Sequence, residues 1–262
     1  MTEAWYLGCG PDDVAERAVL VGDPGRIDLF VERLDDVRVI GENRGLRAIT
    51  GSSGGMPLTV CAFGMGAPIA AIVLEELAQL GVTTVLRVGT VMTLVRGGLG
   101  ELVLATGALR EETVSRTYLP PSVPALPDLN LLFSTLVSLE QLGERYRVGL
   151  VASLDGFYTE MFAARPERED AVAERLAGLA RLGAVAVDME TSAVLAVAHS
   201  LGVAAGSLCL ATVDGKERMR LAGQERLDAE ERLVNSTLRA LQAPSDSFAR
   251  AVREQASTRE EV

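Results

Sequence analysis

The chain has 262 residues, 48% of them hydrophobic, and a formal net charge of −11. This acidic balance argues against a nucleic-acid backbone as partner, although a local arginine cluster would still accept a small anion. The three cysteines lie far apart without a CxxC motif, so neither a disulfide framework nor a metal site is expected. No composition shift marks a linker, which favours a single domain over residues 1–262.

Two further features narrow the class of protein. The N-terminal residues lack the pattern of a signal peptide, so a cytoplasmic protein is expected. The long uncharged run 193–213 contains Gly202 and Gly206, and it predicts a helix, a turn and a buried strand rather than a membrane span. The chain has one histidine, His199, and one lysine, Lys216, so a catalytic triad or a Schiff base would depend on those two residues.

The first predicted strand covers residues 18–22 and leads through Asp23 and Pro24 into a helix that begins near Arg26. Backbone N–H groups and an arginine at such a joint suit an anion. The alternative is an ordinary strand-to-helix turn without a ligand. Residues 37–49 are predicted as extended, residues 51–55 as a hairpin turn, and residues 56–63 as the returning strand.

A helix is predicted over 69–80 and a strand over 85–90, and Arg87 lies inside that apolar strand. A buried guanidinium requires a partner, which is either a bound anion or a glutamate of the protein. A strand over 101–108, a Pro-rich loop over 110–127, a helix over 128–143 and a strand over 148–154 follow. Phe157 and Tyr158 come after that strand, and they either stack on a flat base or pack under the next helix, predicted over 167–182.

Two carboxylates follow the buried strand 184–187, at Asp188 and Glu190, immediately before an apolar helix. They serve either a ligand or the cap of that helix. Asp214 ends the next predicted strand, 205–213, and is either a functional carboxylate or an Asp-Gly turn residue. A last helix is predicted over 226–241. If these strands run parallel in one sheet, their ends meet at one edge, where α/β proteins bind ligands.

As a set, these motifs resemble the nucleoside phosphorylase family of hexameric purine nucleoside phosphorylases and uridine phosphorylases. The resemblance extends from about Trp5 to about Lys216, in order and spacing. It rests on five segments, residues 21–26, 75–77, 86–90, 188–190 and 212–215. It implies a single α/β domain with a twisted mixed central sheet flanked by helices, and a homo-oligomer built from dimers, up to a hexamer.

The resemblance also implies a role for each site residue. The phosphate ligands would be Gly22, Arg26, Arg87 and Thr90, together with Arg44 of a neighbouring subunit. The ribose would be held by Met189, Glu190 and Tyr6, and the base by Phe157, Asp188, Asp214 and Met92. Asp214, Arg87 and Glu190 would be catalytic, with Asp214 donating a proton to N7 of a departing purine. Inorganic phosphate is the implied co-substrate, with no cofactor.

Three positions depart from the family pattern. Tyr6 stands where a histidine is usual, Asp188 where a glutamate is usual, and Met92 where a glycine lets the backbone approach the base. The uridine enzymes' glutamine and arginine base readers would fall near Met161 and Ala163, which cannot replace them.

The leading hypothesis is therefore phosphorolytic cleavage of a nucleoside, with a purine preferred. Uridine phosphorolysis, a hydrolytic nucleosidase or specialised glycosidic enzyme on an unusual base, and a non-catalytic nucleoside-binding protein are the alternatives.

Overall fold

The computed structural model describes residues 2–243 and residue 248, and these residues are organised around one sheet of nine strands. The strands are β1 (Arg17–Val21), β2 (Asp35–Asn43), β3 (Leu46–Ser53), β4 (Met56–Ala62), β5 (Thr84–Thr93), β6 (Leu102–Arg110), β7 (Tyr146–Ser153), β8 (Ala184–Asp188) and β9 (Ala204–Asp214).

Helices cover both faces of the sheet. They are α1 (Arg26–Val31), α2 (Ala67–Gln79), α3 (Ser115–Tyr118), α4 (Leu129–Leu142), α5 (Glu169–Arg181), α6 (Thr191–Leu201) and α7 (Gly223–Leu241). One core cluster joins α2 and α6 to the sheet, and a second joins α1, α4 and α7 to it. The architecture is thus three-layered, with small aliphatic side chains filling the core.

The strand order shows that part of the sheet closes on itself. The order is β2-β3-β4-β1-β5-β8-β7-β6-β9, and an additional pairing of β5 with β9 closes the last five strands on themselves. β1 is parallel to β4 and β5, and β5 is parallel to β9. β8 is antiparallel to β5, and β6 is antiparallel to β9.

The fold class predicted from the sequence, a mixed sheet flanked by helices, is confirmed. The uncharged run 193–213 forms the end of α6, a turn and most of β9, as predicted. The strands that carry the predicted site residues do not all run parallel, because β8 is antiparallel to β5. Its end nevertheless reaches the same edge, since β5 continues to Thr93 instead of ending near Thr90.

In the described part of the chain, none of the helices combines the length and apolar character needed to cross a membrane. The prediction of a single domain over residues 1–262 includes positions 1, 244–247 and 249–262, which lie outside the described residues. For that full range it stays a prediction.

A buried carboxylate ties the N-terminal segment to the core. Glu76 of α2 is 5% exposed, and its two oxygens accept the backbone N–H groups of Tyr6 at 2.8 Å and Leu7 at 2.9 Å. Because the Leu7 donor is buried and the Tyr6 donor is partly buried, the carboxylate fixes the path of the segment that carries Tyr6.

We expect Glu76→Ala to lower the free energy of unfolding by about 2 kcal/mol, because it leaves buried N–H donors without an acceptor. Urea unfolding measures this change. Gln79→Ala, at an exposed position of the same helix, is the control and is expected to stay near the wild-type value. Equal stability of the two variants would contradict the anchoring role.

Candidate active site

A cavity of about 400 Å³ opens where β1, β5, β8 and β9 come together. Nine of the twelve residues predicted from the sequence line it: Gly22, Arg26, Arg87, Thr90, Met92, Phe157, Asp188, Met189 and Glu190. The two arginines and the two carboxylates in this set are each less than one-tenth exposed. Four buried charges around one cavity are costly unless they are paired or bind a ligand.

Arg26 enters the cavity from the first turn of α1. The turn before it is held by Asp23, whose Oδ1 accepts the N–H of Gly25 at 2.9 Å. Arg26 donates to the carbonyl of Val88 at 3.4 Å and lies 3.5 Å from Glu230 of α7. Its buried Nε has no partner in the described part of the chain. The guanidinium is therefore only loosely satisfied by the protein.

Arg87 projects from the middle of β5 and is 3% exposed. Its Nη2 lies 2.5 Å from Glu190 and 3.0 Å from Asp188, and its Nη1 lies 2.6 Å from the sulfur of Cys209. The ion pair within the protein, left open by the sequence as an alternative, is thus present. The Nε of Arg87 is nevertheless buried, and no described residue is its hydrogen-bond partner. Burial alone lowers the pKa of Arg87, but the charges of Asp188 and Glu190 outweigh burial and raise that pKa well above its ordinary value.

Gly89 makes room for this arrangement. A Cβ built at Gly89 would lie 2.6 Å from Nη1 and 2.9 Å from Cζ of Arg87, so the Arg87 side chain folds directly over the glycine. Any side chain at position 89 would compete with the guanidinium for the same space. The glycine at this position is therefore explained by close approach.

Asp188 caps the N-terminus of α6 and also forms an ion pair with Arg87. One oxygen accepts the Ser153 hydroxyl at 2.6 Å, and the other accepts the backbone N–H of Thr191 at 3.1 Å. The predicted capping role is therefore present together with the contact to Arg87. Glu190 is held differently, since its Oε1 accepts the N–H of Gly66 at 2.6 Å.

The other half of the cavity is apolar. One hydrophobic cluster contains six of the lining side chains: Met92, Phe157, Met161, Val187, Met189 and Val213. Phe157 also packs its ring edge-on against Tyr158, with 5.0 Å between centroids. The cavity therefore joins a charged half, suited to an anion, to an apolar half, suited to a flat ring.

Three predicted site residues do not line this cavity. Arg44, at the β2–β3 turn, is exposed and places its guanidinium 5.4 Å from the centroid of the Tyr6 ring. Asp214 is opposite Thr93 on β5, three residues or about 10 Å beyond Thr90. Its Oδ1 accepts the N–H groups of Lys216 at 2.8 Å and Glu217 at 2.9 Å, which is the turn role that the sequence left as the alternative.

Two residues that contact the site arginines or the cavity were missed from the sequence, Arg226 and Cys209. Arg226 lines the cavity from α7 and shares Glu230 with Arg26, at 3.2 Å and 3.5 Å respectively. An Arg–Glu pair four residues apart is typical of a solvated helix face, so the pattern carries no signal of a site. Cys209 was missed because a single cysteine in a buried strand is typical of core packing.

Comparisons with known proteins show the family of the chain. A family model described as the phosphorylase superfamily matches residues 16–243. A guanosine phosphorylase of Halorubrum lacusprofundi is 34% identical over 92% of this chain and 91% of its own length. A uridine phosphorylase of Thermococcus kodakarensis is 34% identical over 78% of this chain and 75% of its own length. A crystal structure of uridine phosphorylase from Vibrio fischeri, in complex with 6-hydroxy-1-naphthoic acid, superposes with a TM-score of 0.82 at 29% identity, covering 92% and 97% of the two chains. The resemblance seen in the motifs is confirmed.

We expect Asp188→Ala to destabilise the fold by about 3 kcal/mol, because it removes one partner of a buried ion pair and the acceptor of several donors. Asp23→Ala is the matched control, since Asp23 lines the same cavity but is exposed. Urea unfolding of both variants gives the comparison. A loss for Asp188→Ala no larger than that of the control would show that the pair contributes little to stability.

Proposed function

The chain belongs to the phosphorylase superfamily, and we propose that it cleaves the N-glycosidic bond of a nucleoside with inorganic phosphate. The products are the free base and ribose or deoxyribose 1-phosphate, so the protein is a pentosyltransferase. One observation carries the proposal. Arg26 and Arg87 line one cavity, and the buried Nε of each has no partner among residues 2–243 and 248, which the structure describes.

A phosphate dianion satisfies both arginines. Each free Nε–H needs an acceptor, and guanidinium groups bind phosphate oxygens through strong, oriented hydrogen bonds. Gly22 and Thr90 line the cavity beside the two arginines and complete the proposed phosphate site. No cofactor is needed in this scheme, because phosphate itself is the nucleophile.

Glu190 is proposed to hold the sugar, together with Met189. Its oxygens now accept hydrogen bonds from Arg87 and Gly66. When phosphate occupies Arg87, Glu190 becomes free to accept the ribose hydroxyls. A phosphate oxygen then attacks C1′, a C–O bond forms, and the C–N bond breaks with its electron pair passing to the base. The carboxylate stabilises the positive charge that develops on the sugar ring.

The apolar half of the cavity is proposed to hold the base by stacking on Phe157. A purine is favoured, because Met161 offers no hydrogen bond to the edge of a uracil. The guanosine phosphorylase relative, which aligns with 92% of this chain, supports the same preference. Uridine stays the second candidate because the Thermococcus relative is a uridine phosphorylase. The assignments of Asp214 as the acid and of Met92 and Asp188 as base contacts stay proposals.

Arg87→Gln tests the proposed phosphate site. The wild-type protein is expected to release base from guanosine, inosine or uridine only when phosphate is present, with ribose 1-phosphate as the second product. Arg87→Gln is expected to lower kcat/KM by about a hundredfold or more, since it removes a charge-assisted contact with the nucleophile. Chromatography of base and sugar phosphate measures both. Arg47→Gln, which breaks a surface ion pair with Asp28, is the control.

A second variant separates lost chemistry from lost folding. Gly89→Ala keeps every charge but pushes the Arg87 guanidinium aside, so it is expected to lose activity with little change in its circular dichroism. Base release without phosphate would instead identify a hydrolase. Failure to cleave any of the three nucleosides would overturn the proposal.

We further propose a cytoplasmic homo-oligomer built from dimers in which Arg44 and Tyr6 complete the neighbour's site. Support comes from their position, since both lie outside the cavity of their own chain and stack on each other at 5.4 Å. Trp5, next to them, is 83% exposed. An exposed aromatic beside an exposed arginine is typical of an interface.

Subunit mixing tests this arrangement. Arg44→Gln and Arg87→Gln are each expected to be nearly inactive as homo-oligomers, whereas co-expression creates mixed dimers with one complete site. For a symmetric dimer, about a quarter of the wild-type activity should return. Activity no greater than the sum of the two separate variants would place Arg44 outside the neighbour's site.

A further inference from the structure

We infer that Cys209 is a positioning residue, which orients the Arg87 guanidinium toward phosphate without adding a further negative charge beside it. This inference rests on the proposed function. It gives a task to a buried cysteine that neither the motifs nor the comparisons assign.

The pairing of β5 with β9 brings the two side chains together. Arg87 is opposite Ser207, and Gly89 is opposite Cys209, so all four residues share one face of the sheet. Because the Arg87 side chain folds over Gly89, its head arrives beside Cys209. Nη1 of Arg87 and the sulfur of Cys209 are thereby in direct contact.

Each nitrogen of the Arg87 guanidinium has a different set of partners. Nη2 faces Asp188 and Glu190, Nη1 faces Cys209, and Nε has no partner. Under the proposed function Glu190 turns to the sugar during the reaction, so it cannot hold Arg87 throughout. Cys209 and Asp188 then remain as the two protein groups that keep the guanidinium over Gly89.

The charge of the group that accepts from Nη1 determines how much of the positive charge of Arg87 remains available to the phosphate. A third carboxylate at this position would also accept from Nη1, but it would cancel positive charge next to the phosphate. A thiol is a weak, neutral acceptor. Burial raises the pKa of the Cys209 thiol above its ordinary value, which keeps the group protonated and uncharged.

Three variants of Cys209 test this role. Cys209→Ala and Cys209→Val remove the acceptor, and valine also preserves the filled volume. Each is expected to raise the KM for phosphate about tenfold, with kcat and the KM for guanosine or uridine changed much less, because an arginine no longer held in place binds phosphate less well. Cys209→Ser restores a neutral acceptor and is expected to return the KM for phosphate to within about threefold of wild type.

Cys61→Ala is the matched control, since Cys61 is a fully buried cysteine of β4, a strand that β1 separates from β5 and Arg87. A wild-type KM for phosphate in both Cys209→Ala and Cys209→Val would overturn the inference. Equal increases in the KM values for phosphate and nucleoside would also overturn it, since they would indicate general loosening. A wild-type enzyme that does not require phosphate would instead refute the proposed function.

Discussion

The fold around the cavity depends on burying the charge of Arg87 in the middle of a sheet. Removing a guanidinium from water is costly, and the protein offsets this cost with two carboxylates and a sulfur. The carboxylates come from the end of β8 and the start of α6, so the antiparallel approach of β8 to β5 is what delivers them. Gly89 provides the space in which they meet. Gly89 in β5 and the antiparallel pairing of β8 with β5 therefore both support the ion pairs of Arg87.

The same interaction divides the cavity into two chemical environments. Arg26, Arg87 and Glu190 make one half strongly polar, while thioethers and the Phe157 ring line the other. A phosphate and a sugar need many oriented hydrogen bonds, whereas a heterocyclic base needs a flat apolar surface. Under the proposed function, the reacting C1′ lies at the boundary between the halves. Charge on the nucleophile and on the departing base is thereby kept apart.

Much of this arrangement could be predicted from the sequence, because several signals are local. A buried strand that ends in Asp188 and Glu190, and an arginine inside an apolar strand, are costly features that demand an explanation. The position of Asp214 could not be predicted, since it depends on β5 and β9 continuing together to Thr93 and Asp214. Arg226 could not be found either, because an amphipathic, charged helix such as α7 looks the same with or without a cavity behind it.

The Arg87–Glu190 ion pair also has a consequence for how two substrates share one site. Under the proposed function, each partner of the pair is the main ligand of a different substrate, phosphate for Arg87 and ribose for Glu190. Binding of either substrate must therefore break the ion pair between Arg87 and Glu190, whose Nη2 and Oε2 atoms lie 2.5 Å apart in the free protein. Once phosphate has replaced Glu190 as the partner of Arg87, the Arg87–Glu190 ion pair is already broken. The sugar can then bind Glu190 without breaking that pair itself. The two binding events are then coupled, and linkage requires the coupling to act equally in both directions.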